Sequence, residues 1–438
     1  MVEATGDSSN RRGAPAAFRF IFIAALLNAI SFSIVIPITP NLVRELAGGD
    51  ASDAAEWMMV FASAWGLAQF LSAPLLGAAS DRFGRRPVLL ASLFGLGVDF
   101  LFMAFAPTLP LLLLGRIVSG ATAASFATAH AYVADVTAPE ARGAAYGRLA
   151  AAISGGFLIG PAVGGWLGEF DLRLPFLVAA AVTLANLLYG VLVLPESLPR
   201  ERRAARFAPR SLLDPEGFKM LRARPDLARL AGISFLNDLA NAIWGSVWVL
   251  FCAYRFGWSP AEMGLQILAA GLLGIGVQAW LAGRVTRRMG YGDALLLGAA
   301  VSSAALAWAA FSPNGWWFVA SMPLAAFGLL LGPGLQGLLS GSVGAEEQGR
   351  MQGAVQGLNG VAIVIGPLIY GAVFAWSLRR SAGVDLSGLA LLIAAGFLVA
   401  ALLLAASLRP AQIPPASRTA PTAPGAPSPG RSSAAGRG

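Results

Sequence analysis

The sequence predicts an all-α polytopic membrane protein, with twelve transmembrane helices in two six-helix halves. Three observations carry that prediction. Of 438 residues, 56% are hydrophobic and 12% charged, against roughly 25% charged in a soluble chain. Mean hydropathy is +0.67, so there is too little polar surface to cover a globule in water. Apolar runs of about 20 residues, the length that crosses a bilayer, recur from end to end. The chain also repeats itself. Gly160-Pro161 returns as Gly366-Pro367, and at that same spacing Gly77 meets Gly283, Arg82 meets Arg288, Gly84 meets Gly290 and Gly165 meets Gly371. Glu140 with Glu346 and Gly143 with Gly349 keep it too. Parallel halves about an axis along the membrane normal imply a cargo site near the midplane, between the halves.

The elements follow in order. A polar N-terminus (1–19) carries Arg11-Arg12. The run after it, Phe20–Ile38, is too long for a signal-peptide core, so it is read as an uncleaved first helix. The first half, 20–195, places spans at 20–38, 56–78, 88–106, 109–133, 149–167 and 174–194. A basic linker, 196–229, follows. Asp214-Pro215 in it is a helix start, with a capping carboxylate and proline at the first turn, and a short basic helix there suits the inner leaflet. The second half, 230–408, places spans at 230–251, 261–283, 292–311, 315–339, 351–376 and 386–407. The tail, 409–438, is rich in Pro, Ala, Ser and Gly and is expected to be disordered.

Charge orients the bundle. Lys and Arg crowd the segments on the side of the two termini; only Arg44, Arg173, Arg255, Arg379 and Arg380 fall on the other side. That bias predicts an inner (plasma) membrane protein with both termini cytoplasmic. Trp57, Trp166, Trp258, Trp316, Trp317 and Trp376 then mark the outer interface as an aromatic belt. The net charge of +8 is therefore orientation chemistry, and no nucleic-acid partner is expected.

The same inventory excludes several activities. The loops are too short for an ATP-hydrolysing or soluble catalytic module. Gly332-Pro-Gly334-Leu-Gln-Gly337 has a dinucleotide-binding spacing but lies in an apolar helix with no strand before it. A single cysteine, Cys252, allows neither an internal disulfide nor a multi-cysteine metal site. No cofactor, no metal and no catalytic residue is expected, and the chain is read as a monomer. An ion gradient is left as the energy source.

Intramembrane charges are the strongest functional signal, because each costs about 2.5–3.5 kcal/mol at the bilayer centre. Asp99, Arg116 and Asp238 qualify. Asp99 and Arg116 sit at similar depth on neighbouring helices, so they are either an ion pair or a titrating site. Asp238 has no cation at its depth, which suits a proton carrier. Asn28, Asn237, Asn241, Gln278, Gln336 and Gln356 are polar positions available to cargo or to helix contacts. Asn359 belongs with them. Trp65, Trp244 and Trp248 lie deeper than the belt and can wall an apolar pocket. His130, the only histidine, is left without a role.

The loop Gly77-Ala-Ala-Ser-Asp81-Arg82-Phe83-Gly84-Arg85-Arg86 puts an acid on a face otherwise kept positive. With Arg116-x-x-x-Gly120 and Gly160-Pro161-x-x-Gly164-Gly165, it resembles the major facilitator superfamily, and within it the twelve-helix drug:proton antiporters, over about 20–408. That resemblance implies the major facilitator fold. It implies gating roles for Gly77, Asp81, Arg82, Gly84 and Arg85 as a latch, and for Gly160, Pro161, Gly164 and Gly165 as the exporter helix. In the second copy of the loop Arg287 stands where Asp81 would be. Ile36-Pro37 to Leu46, Arg255 to Pro260, Gln278 to Gly283 and Gln352 to Gly357 are similar to tetracycline efflux proteins. This chain departs from that group in having Asn28, Gly274 and Ser302 where the group carries an acid, a histidine and an aspartate.

The function expected is export of small amphipathic, drug-like molecules, tetracycline-type or other, in exchange for protons. The alternatives are proton-coupled symport of a small metabolite, which the Gly-Pro helix opposes, and a lipid-modifying membrane enzyme, which one histidine and two buried aspartates oppose.

Overall fold

Polar caps and glycines mark where the apolar helices begin and end. The computed structural model describes residues 8–209, 211–212, 215–344, 346–380 and 385–408; Asp214 and the tail 409–438 lie outside these residues. The first half comprises α1 (Phe18–Leu46), α2 (Ala51–Phe83), α3 (Arg85–Phe105), α4 (Leu109–Val136), α5 (Pro139–Gly168) and α6 (Leu174–Leu192). Helix α7 is Pro225–Ser246 followed by Trp248–Phe256, bent by 52° at the break. One helical run, Pro260–Phe311, contains both α8 and α9, parted where Gly290 leaves helical geometry at φ 89° and ψ 169°. Helices α10 (Gly315–Gly341), α11 (Gln348–Arg380) and α12 (Leu389–Ala406) complete the bundle. Twelve spans result among the described residues, and a linker helix, Pro215–Ala223, lies between the halves.

The starts are chemically specified. Asp50 caps α2, its carboxylate accepting from Ser52 N at 2.7 Å, Ser52 Oγ at 2.6 Å and Asp53 N at 3.0 Å. The Ser52 hydroxyl foremost, then the two backbone N–H groups, hold the Asp50 carboxyl below the usual carboxylate range. Ser259 opens α8 with a reciprocal capping box to Glu262, followed by Pro260. Asn314 accepts from Trp317 N at 3.1 Å to open α10.

The internal repeat is also a repeat of conformation. Gly84 (φ 109°) and Gly290 (φ 89°), equivalent positions of the two loops, both occupy a region that side chains with a Cβ avoid. Their surroundings differ. A Cβ on Gly84 would lie 2.2 Å from Glu196 Oε2, whereas one on Gly290 would have nothing within 4 Å. Gly84→Ala should therefore cost about 1–3 kcal/mol of strain plus a displaced Glu196. Gly290→Ala should cost the strain alone. Thermal melts in detergent should show the larger drop for Gly84→Ala.

Within the first half α1 packs on α5 and α6, α2 on α4, and α3 on α6. Within the second, α9 packs on α12 and α10, and α7 on α12 and α11. The halves meet chiefly through α2 with α11 and α5 with α8, with smaller contacts of α7 to α1 and α2. By the repeat, α8 is the counterpart of α2 and α11 of α5, so the two main contacts are one contact made twice.

An even number of spans puts both ends on one face, the terminal face. On the distal face the halves are tied together. Arg379 of α11 reaches Glu56 at 2.6 Å and Asp53 at 3.2 Å on α2. Glu169 of the first half accepts from Ala261 N at 3.0 Å. On the terminal face, among the described residues, Arg85 pairs with Asp81 and Asp135 inside the first half, and Arg224 of the linker pairs with Glu347 of the second.

Candidate functional site

Two cavities lie between the halves and share a wall formed by Asn241, Trp244, Trp248 and Gln266. The break in α7 builds that wall. Where the chain turns at Val247 the α-helical ladder is interrupted, and Trp244 and Trp248 stack edge to face with centroids 4.1 Å apart. Gln266 of α8, buried, accepts from Trp248 Nε1 at 3.3 Å and fixes its plane. Interrupted spans of this kind are tolerated in a bilayer where they line a cavity.

The first cavity holds about 590 Å³ and extends to Phe32, Phe61, Trp65, Phe100 and Arg116 of the first half. The second holds about 710 Å³ and runs between α5, α8 and α10, past Phe157, Asn237, Gly274, Gln278 and Ser302. Gln278 sits in a π-helical turn, Val277–Ala282, and its amide donates to Leu329 O at 3.4 Å. Such turns are frequent at functional sites. Both volumes fall within the range of small-molecule pockets.

Of the candidate cargo residues, Asn237, Asn241, Gln278, Trp65, Trp244 and Trp248 line one or both cavities. Asn28 does not. It is buried inside the first half, donates to Ser125 Oγ at 3.0 Å, and borders a void of about 10 Å³. Gln336 and Gln356 are exposed and line neither cavity. Gln266 was missed by sequence reasoning; as a glutamine in an apolar span it carried the same signal as Gln278.

Asp99 and Arg116 form an ion pair. Arg116 Nε donates to Asp99 Oδ1 at 3.0 Å, and a second bond joins Nη2 to Oδ2. The Asp99 side chain is fully buried, and Arg116 borders the first cavity. Asp238 lies apart from both cavity linings. Its carboxylate meets the amides of Asn237, at 3.5 Å, and Asn359 of α11. Arg229, the nearest arginine along α7, is committed to Asp226 at 3.3 Å.

The Gly-Pro helix divides its small residues between two neighbours. Gly160 and Gly164 face α1: a Cβ on Gly160 would lie 2.0 Å from Ser33 Oγ, and one on Gly164 1.7 Å from Ile34 O. Gly165 instead faces the other half, where a Cβ would lie 2.3 Å from Pro260 O; Gly264 faces Pro161 O at the same 2.3 Å. The repeat preserves this division. Gly366 faces Ala242 of its own half, and Gly371 faces Met59 and Ala55 of the first.

In the loop between α2 and α3, Arg85 gathers the charges, with Asp81 at 2.6 Å and Asp135 at 3.0 Å. Glu196 of the linker caps α3 through Arg85 N at 2.8 Å, and Ala204 N donates to Asp81 O at 2.9 Å. Gly77 has open space around it, and Arg82 lies over the Phe83 ring.

The profile of the Major Facilitator Superfamily matches residues 21–236 and again residues 230–435, once for each half. Tetracycline resistance protein, class C, of Escherichia coli is 37% identical over 84% of this chain and 91% of that protein. The class B protein of Escherichia coli is 34% identical over 82% and 89%. Among solved structures, the nucleoside transporter NupG superposes with a TM-score of 0.71 at 15% identity, over 89% of this chain and 98% of that one. These matches span both halves and the seam between them, and the chain belongs to the Major Facilitator Superfamily as a multi-pass membrane transporter, not an enzyme.

Proposed function

We propose that this protein exports small amphipathic, drug-like molecules in exchange for protons, from a cytoplasm that holds both of its termini. The observation that carries the reading is the aromatic, amide-dotted cavity at the seam of a chain similar to tetracycline resistance proteins. Trp244 and Trp248 offer flat apolar surface, while Asn241 and Gln266 offer hydrogen bonds that orient a ligand without trapping it. The excess of Lys and Arg on the terminal face supports that orientation.

Alternating access follows from the seam. The distal face is held by Arg379 with Asp53 and Glu56, and these exposed, solvent-screened pairs are weak enough to part in each cycle. Asp81, Arg82 and Arg85 are assigned the reciprocal latch on the terminal face, with Gly77 and Gly84 allowing the tight loop. In the conformation described here Asp81 is half exposed and held by Arg85, so it is poised for exchange of partners.

The test uses bacterial cells stripped of their own pumps. Expression should raise the tolerated concentration of several amphipathic drugs, and a protonophore should abolish the difference. Equal susceptibility with and without the protein, across a broad panel, would remove the export reading. Protein-dependent accumulation of a compound would favour symport instead.

A further inference from the structure

The charge of the cargo can be read from the walls of the cavity. Arg116 is the one ionisable side chain among the described residues that line the two cavities; no carboxylate lines either. Arg116 is bound side-on, with Nε and Nη2 engaged by Asp99, so its Nη1 amino group lies outside the pair. Asp99, which would offset that charge for an approaching ligand, is fully buried behind it. The ligand therefore meets the positive end of the dipole.

A second, independent feature points the same way. The Trp65 indole Nε1–H is buried and has no hydrogen-bond partner among the described residues, although Trp65 lines the first cavity. A buried donor left unpaired is destabilising, and an acceptor supplied by a ligand would satisfy it. Trp65 lies on the first-half side with Arg116: Trp65 O is 2.5 Å from where a Cβ would project from Gly120, one helical turn beyond Arg116. Phe32 flanks the indole at 6.1 Å. The first-half wall is thus a donor surface set in aromatic rings.

Resting on the reading that this cavity receives cargo, we propose that it selects aromatic molecules that are uncharged or anionic and present an oxygen acceptor to Trp65 and Arg116, and that it rejects cations. A cation would face Arg116 with no carboxylate on the cavity wall to offset it, and like-charge juxtaposition in a desolvated site is strongly unfavourable. An oxygen acceptor would satisfy the indole and add a charge-assisted bond to the guanidinium. Asp238 does not supply the missing carboxylate, because it meets Asn237 and Asn359 outside both cavity linings.

Fluorescein and rhodamine 6G share the xanthene frame and differ in charge, the first anionic and the second cationic. Binding of each to the purified full chain in detergent is measured by fluorescence anisotropy against empty micelles. Fluorescein should bind at least about tenfold more tightly than rhodamine 6G. Trp65→Phe keeps the ring and removes the N–H; it should weaken fluorescein about tenfold and leave rhodamine 6G unchanged. Gln266→Glu, which keeps the acceptor for Trp248 and adds a carboxylate, should admit rhodamine 6G. Rhodamine 6G binding as tightly as fluorescein to the wild type overturns the proposal, as does failure of fluorescein to bind or an indifferent Trp65→Phe. These outcomes are separate from the susceptibility test, which can fail while the dye preference stands.

Discussion

Gly165→Leu is expected to reduce export to less than about a tenth of the wild-type rate while leaving the amount of folded protein in the membrane nearly unchanged. Gly165 lies where the halves press together, 2.3 Å (as a notional Cβ) from Pro260 O, with Ala261 Cα at 3.1 Å. The reciprocal approach of Gly264 to Pro161 O makes the α5–α8 contact a backbone-to-backbone one, of the kind small residues permit in membranes. A leucine there wedges the distal face. Overpacking costs about 1–3 kcal/mol, and 3 kcal/mol shifts a two-state equilibrium about 100-fold. The wedge penalises only the state in which that seam is shut, so the protein should be held with its distal side parted. Gly164→Leu gives the contrast. Its side chain would drive into Ile34 O of α1, backbone inside the same half, so that variant should lose folded protein. The sequence assigned gating to Gly160, Pro161, Gly164 and Gly165 alike; the geometry sets Gly165, at the seam, apart from Gly160 and Gly164, which face α1. Size-exclusion recovery from membranes, beside transport rate, separates the two. Wild-type export by Gly165→Leu would show that the seam does not gate.

That division between neighbouring glycines shows where legibility in the sequence ends. Depth in the membrane is legible, because rise per residue is fixed. Asp99 and Arg116 were placed at equal depth on neighbouring helices, and they pair. The repeat is legible because it rests on identities such as Gly84 with Gly290, and both adopt positive φ. Rotation about a helix axis is not legible. In water a polar stripe shows which face is out, but lipid is as apolar as the protein interior, so a helix apolar all round carries no such mark. Gln336 and Gln356 were therefore indistinguishable from Gln278, yet of the three only Gln278 lines either cavity. Asn28 was equally ambiguous until Ser125 appeared as its partner. The break at Val247, which sets Trp244 against Trp248, follows Gly245-Ser246, a pairing found at helix kinks, and that local signal was not used.

Asp238→Asn is expected to abolish proton release on cargo binding, to less than about a tenth of wild type, while cargo still binds. The carboxylate lies about 12 Å along α7 from Leu230 at 1.5 Å per residue, within the middle third of a ~30 Å core. Its neighbours are amides, Asn237 and Asn359, which accommodate either protonation state, whereas Asp99 is committed to Arg116 by two bonds. Its position also suits coupling. Asn237, adjacent in sequence, lines the second cavity, and Asn241, whose amide donates to Asn237 O at 2.9 Å, lines both. On the other side α7 is locked to α11, with Tyr370 OH donating to Leu239 O at 2.8 Å and Gly366 against Ala242. A change of charge at Asp238 is thus felt by cavity amides and by the α7–α11 contact together. Each proton carried inward would gain about 2.3 kcal/mol per 100 mV, and asparagine, which mimics the protonated form, forgoes that gain. Proton release is read with a pH dye in weakly buffered detergent solution as an exported compound is added. Undiminished release from Asp238→Asn would transfer the role to Asp99. In that case Asp99→Asn should abolish release while leaving Arg116 without its partner, and the lower thermal stability of that variant would accompany the loss.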